Sequence, residues 1–199
     1  MKDAIGILGG TFNPIHNGHL KIAKAALLEC GFSKILFMPN GNPPHKQNNV
    51  IISSFHRYNM VKLAIEGKDG FEVSDYEINR DKPSYTVDTN RALKKIYDCP
   101  LYFIIGADSL YTLKQWRNYE ELIKECRFVV ADRHCKEGND AQMMCNKLSR
   151  AGANIKLLQM PEIDVTSTDI RLMIKQGADT SRFMPASVCD YIANNKLYL

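Results

Sequence analysis

Ala4-Ile5-Gly6-Ile7-Leu8-Gly9-Gly10-Thr11-Phe12-Asn13-Pro14-Ile15-His16-Asn17-Gly18-His19 is an apolar, β-prone run that ends in a glycine pair and leads into a helical pattern. A strand that breaks on two glycines and re-forms as a helix is suited to holding an anion. Gly9 and Gly10 let the backbone approach a bulky ligand closely, and the helix N-terminus that follows offers N–H donors and a positive dipole end. His16 and His19, three residues apart, can face the same way and add two ring donors. Two glycines after a strand also fit a plain tight turn, with the histidines as a cap and a surface residue. The P-loop spacing G-x-x-x-x-G-K-[ST] does not occur here, nor does the three-glycine dinucleotide fingerprint.

Outward from this turn, short β-rich runs alternate with helical apolar spacing. The runs are Ala4–Leu8, Lys34–Met38, Phe71–Ser74, Leu101–Ile105, Arg127–Ala131 and Ile155–Leu158. Helices are predicted over Gly18–Cys30, Phe55–Glu66, Tyr85–Tyr97, Asp140–Arg150, Thr168–Gln176 and Pro185–Asn194. Strands joined by crossover helices imply an α/β fold, a Rossmann-like, doubly wound parallel sheet with helices on both faces. Ligands then sit beyond the carboxyl ends of the strands. The long polar loop Pro39–Asn49 follows the second strand and reads as a substrate loop.

The 199 residues are 45% hydrophobic and 24% charged, a composition of one globular domain spanning 1–199 rather than of a disordered or fibrous chain. The net charge of +4 is scattered, so it suits phosphorylated small molecules as well as nucleic acid. Basic tracts interleaved with aromatics are missing, which argues against a nucleic-acid reader. No apolar run is long enough for a membrane span, and Met1–Ile5 does not open a signal peptide, so the cytoplasm is the expected compartment. The six cysteines form no C-x-x-C pair and no zinc spacing with the five histidines, and they read as reduced thiols with no protein metal site.

The His16-Asn17-Gly18-His19 ending resembles the H-x-G-H signature of the class I nucleotidyltransferases. Further segments are similar to the bacterial nicotinate mononucleotide adenylyltransferase family within that superfamily. Met38-Pro39-Asn40 through His45-Lys46 resembles its M-P-N-x-x-P-P-H-K loop, and Pro83-Ser84-Tyr85-Thr86 its P-S-Y-T. Ile104-Ile105-Gly106-Ala107-Asp108 is similar to its I-I-G-A-D strand end, and Trp116 to its downstream tryptophan. Val165-Thr166-Ser167-Thr168-Asp169-Ile170-Arg171 resembles S-S-T-x-I-R, and the likeness runs to Leu197-Tyr198.

The resemblance implies transfer of the adenylyl group of ATP to nicotinate mononucleotide, giving deamido-NAD and pyrophosphate in NAD biosynthesis. It makes His16 and His19 the catalytic pair on the ATP phosphates. Gly9, Gly10, Thr11, Phe12, Gly106, Asp108, Arg133, Thr166, Ser167, Thr168 and Arg171 would bind ATP. Asn40, His45, Lys46, Thr86 and Trp116 would hold the mononucleotide, with Trp116 stacking on the pyridine ring. Mg²⁺ would arrive mainly on the ATP phosphates.

Plainer roles stay open beside these. Asp108 could cap the next helix, Thr86 could be an N-cap, Thr166 with Asp169 fits a capping box, and Trp116 could simply pack. His56 and Arg57 are expected to serve the surface of their helix or the neighbouring loop. Asn13 stands where the family usually has Asp, which is expected to remove a negative charge near the phosphates while keeping an acceptor. His134 to Gly138 replaces the usual proline-glycine turn after Arg133. Rival readings are another acceptor, among them nicotinamide mononucleotide, phosphopantetheine and cytidylyl-transfer substrates, or a catalytically silent nucleotide-binding protein. A homo-oligomer is left open.

Overall fold

In the computed structural model, residues 3–41, 51–80, 83–132, 140–160 and 165–199 are described, except for the side chain of Gln159. Their element order is β1 Ile5–Gly10, α1 Asn17–Cys30, β2 Lys34–Pro39, α2 Ser54–Ile65, β3 Phe71–Val73, α3 Thr86–Leu93 and β4 Leu101–Gly106. It continues with α4 Ala107–Thr112, a 3-10 turn Leu113–Gln115, α5 Tyr119–Glu125, β5 Arg127–Asp132, α6 Asp140–Arg150, β6 Asn154–Gln159, α7 Ser167–Lys175 and α8 Ala186–Asn194. The six strands form one sheet in the order β3-β2-β1-β4-β5-β6, and every described pairing is parallel. That order is the doubly wound one, with the reversal of direction beside β1.

Period-2 alternation sorts the strand side chains onto two cores. Leu8, Phe37, Ile104 and Val129 face one, packed under α1, α2, α7 and α8 through Ala23, Met60, Ile170 and Val188. Ile5, Ile7, Leu36, Met38, Phe103 and Val130 face the other, under α3 to α6 through Val87, Leu110, Leu122 and Leu148. Helices therefore cover both faces, as the βα alternation predicts.

Local chemistry sets the helix ends. Gly31 closes α1 at φ 64°, its N–H donating to Leu27 O, a left-handed cap open to glycine at little cost. Ser53 caps α2 by accepting from the His56 N–H. The expected helix over Tyr85–Tyr97 is shorter, since regular α geometry ends at Leu93 and tighter bonds of Lys95 to Ala92 O and Ile96 to Leu93 O carry the chain on. α4 and α5 went unforeseen because six and seven residues give less than two turns of apolar repeat.

No helix among the described residues is long and apolar enough to cross a membrane. The five described cysteines are free. Burial pushes the Cys126 thiol up to about 12 and the Cys145 thiol up to about 11, because an apolar core disfavours the thiolate. At pH 8 in native buffer, iodoacetamide should therefore label these two only after denaturant is added. Peptide mapping by mass spectrometry checks this, and rapid native labelling of Cys126 would contradict the packing described.

Candidate active site

The carboxyl ends of β2, β1, β4 and β5 line up. Gly10 pairs in register with Pro39, and Gly106 with Ala131, so Gly9, Gly10, Asn40, Gly106 and Asp132 share one edge of the sheet. A Cβ added at Gly9 would meet nothing within 4 Å, whereas one at Gly10 would press on the Phe12 ring at 3.1 Å. Gly9 thus fronts open space and Gly10 permits a close fold-back. At Gly9 the backbone is therefore open to a close approach, and at Gly10 the missing side chain makes room for the Phe12 ring.

Phe12 follows at φ 48°, a left-handed conformation that a bulky residue adopts at a cost of order 1 kcal/mol. Its ring is buried, 6.0 Å from Phe37 and edge-on to His19 at 5.0 Å. The carbonyls on either side are gripped by guanidinium groups, Thr11 O by Arg57 Nη1 at 2.8 Å and Asn13 O by Arg171 Nη1 at 2.8 Å. These bonds hold the turn in its costly shape.

His16 caps α1 and is only 2% exposed, while His19 is half-buried. The rings lie 3.8 Å apart at 40°, so the expectation that they come together holds. The His16 N–H donates to His19 Nδ1 at 3.2 Å. That bond assigns the ring proton of neutral His19 to Nε2, which makes Nε2 a donor. The helix end is less open than the sequence suggests, because Asn17 N–H donates to Phe183 O at 2.7 Å and His16 N–H is used as above. Ring donors are correspondingly more important for an anion here.

Asn13 keeps the expected acceptor and uses it within the protein. Its side chain lies behind the turn, 5% exposed, with Oδ1 accepting from Tyr198 Oη at 2.9 Å and from Ile52 N–H at 3.4 Å. It therefore ties the chain's end to the turn instead of facing a ligand. Burial pushes the Tyr198 hydroxyl well above its ordinary range, so it stays a donor.

The N-terminus of α7 docks on the same turn. Thr166 and Asp169 form the anticipated capping box, with Asp169 N–H to Thr166 Oγ1 at 3.2 Å and Thr166 N–H to Asp169 Oδ2 at 3.1 Å. Ser167 Oγ donates to Pro14 O at 2.9 Å, and Arg171 Nη2 to Thr168 Oγ1 at 3.2 Å. Among the described residues, Arg171 thus uses two of its five donors. Gly106 is the N-cap of α4, and Asp108 lies one position into that helix with an exposed side chain, so it does not act as the cap.

Tyr85, not Thr86, is the N-cap of α3, and it makes no side-chain cap bond; Thr86 opens the helix and is half-buried. Just ahead, Ser84 Oγ is buried with no hydrogen-bond partner among the described residues, an orphaned group of the kind a polar ligand satisfies. Arg117 lies over the Tyr85 ring at 4.5 Å, which brings the Trp116 segment to this helix end. Trp116 is half-buried and packs at the margin of the second core. His45, Lys46 and Arg133 lie outside the described residues.

Arg57, expected at the surface of its helix or at the neighbouring loop, is 1% exposed and serves the loop, reaching the turns after both β1 and β2. Burial draws its pKa down from the ordinary arginine value. A groove of about 640 Å³ along α1, lined by Lys21, Lys24, Leu28, Phe71 and Arg182 among others, shares none of the residues expected at the site.

The chain matches the cytidylyltransferase-like family model over residues 7–173. Curated relatives are named "Probable nicotinate-nucleotide adenylyltransferase". One from Thermoanaerobacter sp. (strain X514) is 42% identical over 98% of this chain and 93% of its own, and one from Clostridium kluyveri is 38% identical over 96% and 97%. Among solved structures, a Plasmodium falciparum nicotinic acid mononucleotide adenylyltransferase complexed with NaAD superposes with a TM-score of 0.80 at 20% identity, over 98% of this chain and 97% of that one. This likeness shows the fold. The chain belongs to the cytidylyltransferase-like family, the class its parallel sheet and His-x-Gly-His turn define. Within it, its curated relatives are nicotinate-nucleotide adenylyltransferases.

Glu77 joins α3 to the end of β2. Its Oε1 accepts from Thr89 Oγ1 at 2.7 Å, and its carbonyl lies where a Cβ on Gly41 would come within 2.5 Å. Burial raises its carboxyl above the usual range, the Thr89 bond offsetting only part of this. The folded state then holds this proton more tightly than the unfolded one, so stability falls as pH rises from the unfolded pKa through the raised folded one. Glu77→Gln should accordingly raise the melting temperature more at pH 7 than at pH 4. Equal shifts at both values, read by thermal denaturation, would contradict the assignment.

Proposed function

We propose that this chain is a nicotinate-nucleotide adenylyltransferase, transferring the adenylyl group of ATP to nicotinate mononucleotide to give deamido-NAD and pyrophosphate. The observation that carries the reading is the His-x-Gly-His turn at the carboxyl end of β1, with His19 Nε2 a donor and Gly9 fronting open space. Near-full-length relatives bearing that activity's name support it.

The phosphate of the mononucleotide attacks the α-phosphorus of ATP, a P–O bond forms there, and the bond to the β-phosphate oxygen breaks as pyrophosphate leaves. A phosphomonoester is already anionic near neutral pH, so no strong base is needed. The work lies in alignment and in stabilising charge on the transferred and departing phosphoryl oxygens. His16 and His19 take that role as donors, beside Gly9, Gly10, Thr11 and Phe12. The α7 cradle of Thr166, Ser167, Thr168 and Arg171 receives the triphosphate, Gly106 and Asp108 the ribose, and Arg133 the adenine.

Asn40, His45 and Lys46 hold the mononucleotide. The half-buried Trp116 stacks on its pyridine ring, and the uncapped N-terminus of α3 at Thr86, with the orphaned Ser84 hydroxyl, takes its carboxylate. Mg²⁺, if bound with ATP, would be held through the phosphates and would supply charge neutralisation there; the described donors around the turn are ring and guanidinium N–H groups suited to phosphate oxygens. The setting is cytoplasmic NAD biosynthesis.

Pyrophosphate release with ATP and Mg²⁺ tests this reading, comparing nicotinate mononucleotide with its amide analogue at matched concentrations. A marked preference for the acid is expected. Equal use of both would contradict the carboxylate site, and release with neither would contradict the function. His19→Ala should lower kcat by about 10²-fold or more with the melting temperature little changed, since what is lost is charge stabilisation in the transition state. Trp116→Ala should mainly raise KM for the mononucleotide, and unchanged acceptor kinetics would contradict the stacking role.

A further inference from the structure

The parallel pairing of β1 with β2 ends at Gly10 and Pro39, and the last backbone bond between the two chain segments is Asn40 N–H to Gly10 O at 3.0 Å. Past that point no backbone bond among the described residues joins the two turns. Arg57, from the first turn of α2, fills the space between them. Its Nη1 donates to Thr11 O at 2.8 Å and to Asn40 Oδ1 at 3.4 Å, its Nη2 to Gly41 O at 3.0 Å, and its Nε to Ile52 O at 3.2 Å. Four of the five guanidinium donors thus end on neutral oxygens of three separate segments. A planar fork with fixed N–H directions sets the separation of the groups it joins, which a single ammonium cannot do.

We propose that Arg57 is a positioning residue for the reaction, holding the Thr11 turn and the Asn40-Gly41 turn at the spacing that places the two substrates in line. The inference rests on the function proposed above, in which the first turn carries the ATP phosphates and the second the mononucleotide. Arg57 touches neither substrate. Each turn can still bind its own substrate when the fork is lost, so affinity is largely kept. What suffers is the approach of the attacking oxygen to the α-phosphorus, where a misplacement of about 1 Å can cost on the order of 10²-fold in rate.

The test is Arg57→Lys in the full chain, which keeps the charge and loses the fork. Turnover is measured at 25 °C with both substrates saturating and is expressed per nucleotide-binding site, counted by calorimetric titration with a non-hydrolysable ATP analogue. The expected result is a fall in kcat of about 10- to 100-fold, with KM for each substrate within about threefold of the unsubstituted protein. A residue that only supported the fold would lower the number of binding sites and leave turnover per site unchanged, and that result would overturn the proposal. Arg57→Gln, which buries no charge, is the second variant should the lysine form not fold. If neither variant folds, Arg57 holds the fold itself and the proposal is wrong. Absence of turnover in the unsubstituted protein would instead count against the function, so the two failures are told apart.

Discussion

Two guanidinium groups hold the turn on which the site depends. Arg57 from α2 and Arg171 from α7 take the carbonyls of Thr11 and Asn13, the residues on either side of Phe12 in its left-handed conformation. Without such anchors a buried aromatic residue at positive φ would relax, and the rings of Phe12 and His19 would lose their edge-on contact. Buried hydrogen bonds from a charged donor contribute about 1.5–3 kcal/mol each, enough to exceed the backbone's preference for another region. The arginines come from helices more than one hundred positions apart in the chain, so the turn takes its shape from tertiary structure.

The doubly wound sheet explains why those helices converge here. α1, α2, α7 and α8 pack on one face of the sheet and bring Arg57, Arg171 and the C-terminal Tyr198 behind the β1 turn. The other face carries α3 to α6, from which come the Thr86 helix end and the Trp116 segment. The acceptor-side candidates other than Asn40, His45 and Lys46 therefore belong to one helical layer, and the bracing behind the phosphate turn belongs to the other. The carboxyl edge of the sheet is where the two layers meet.

Much of this was legible in sequence because it is local. The glycine pair, the His-x-Gly-His spacing, the six strands and the Thr166–Asp169 box each depend on residues within a few positions of one another. Arg57 was legible only as a residue of the helix surface or the loop; its burial was not, since three of its four acceptors are backbone carbonyls that no side-chain pattern announces. The partner of Asn13 was out of reach for a related reason: Tyr198, whose hydroxyl donates to its Oδ1, is 185 positions away. The short helices α4 and α5 carry too little apolar repeat to be read, and so the true N-cap at Gly106, which displaces Asp108 from the capping position, was out of reach.

A crystal structure of the protein with Mg²⁺ and a non-hydrolysable ATP analogue shows whether the turn after β1 holds the triphosphate, as proposed. Phosphate oxygens are expected within hydrogen-bond distance of His19 Nε2 and of the α7 N-terminus, with the nucleotide against Gly9. A nucleotide bound in the groove along α1, with the β1 turn empty, would contradict the proposal.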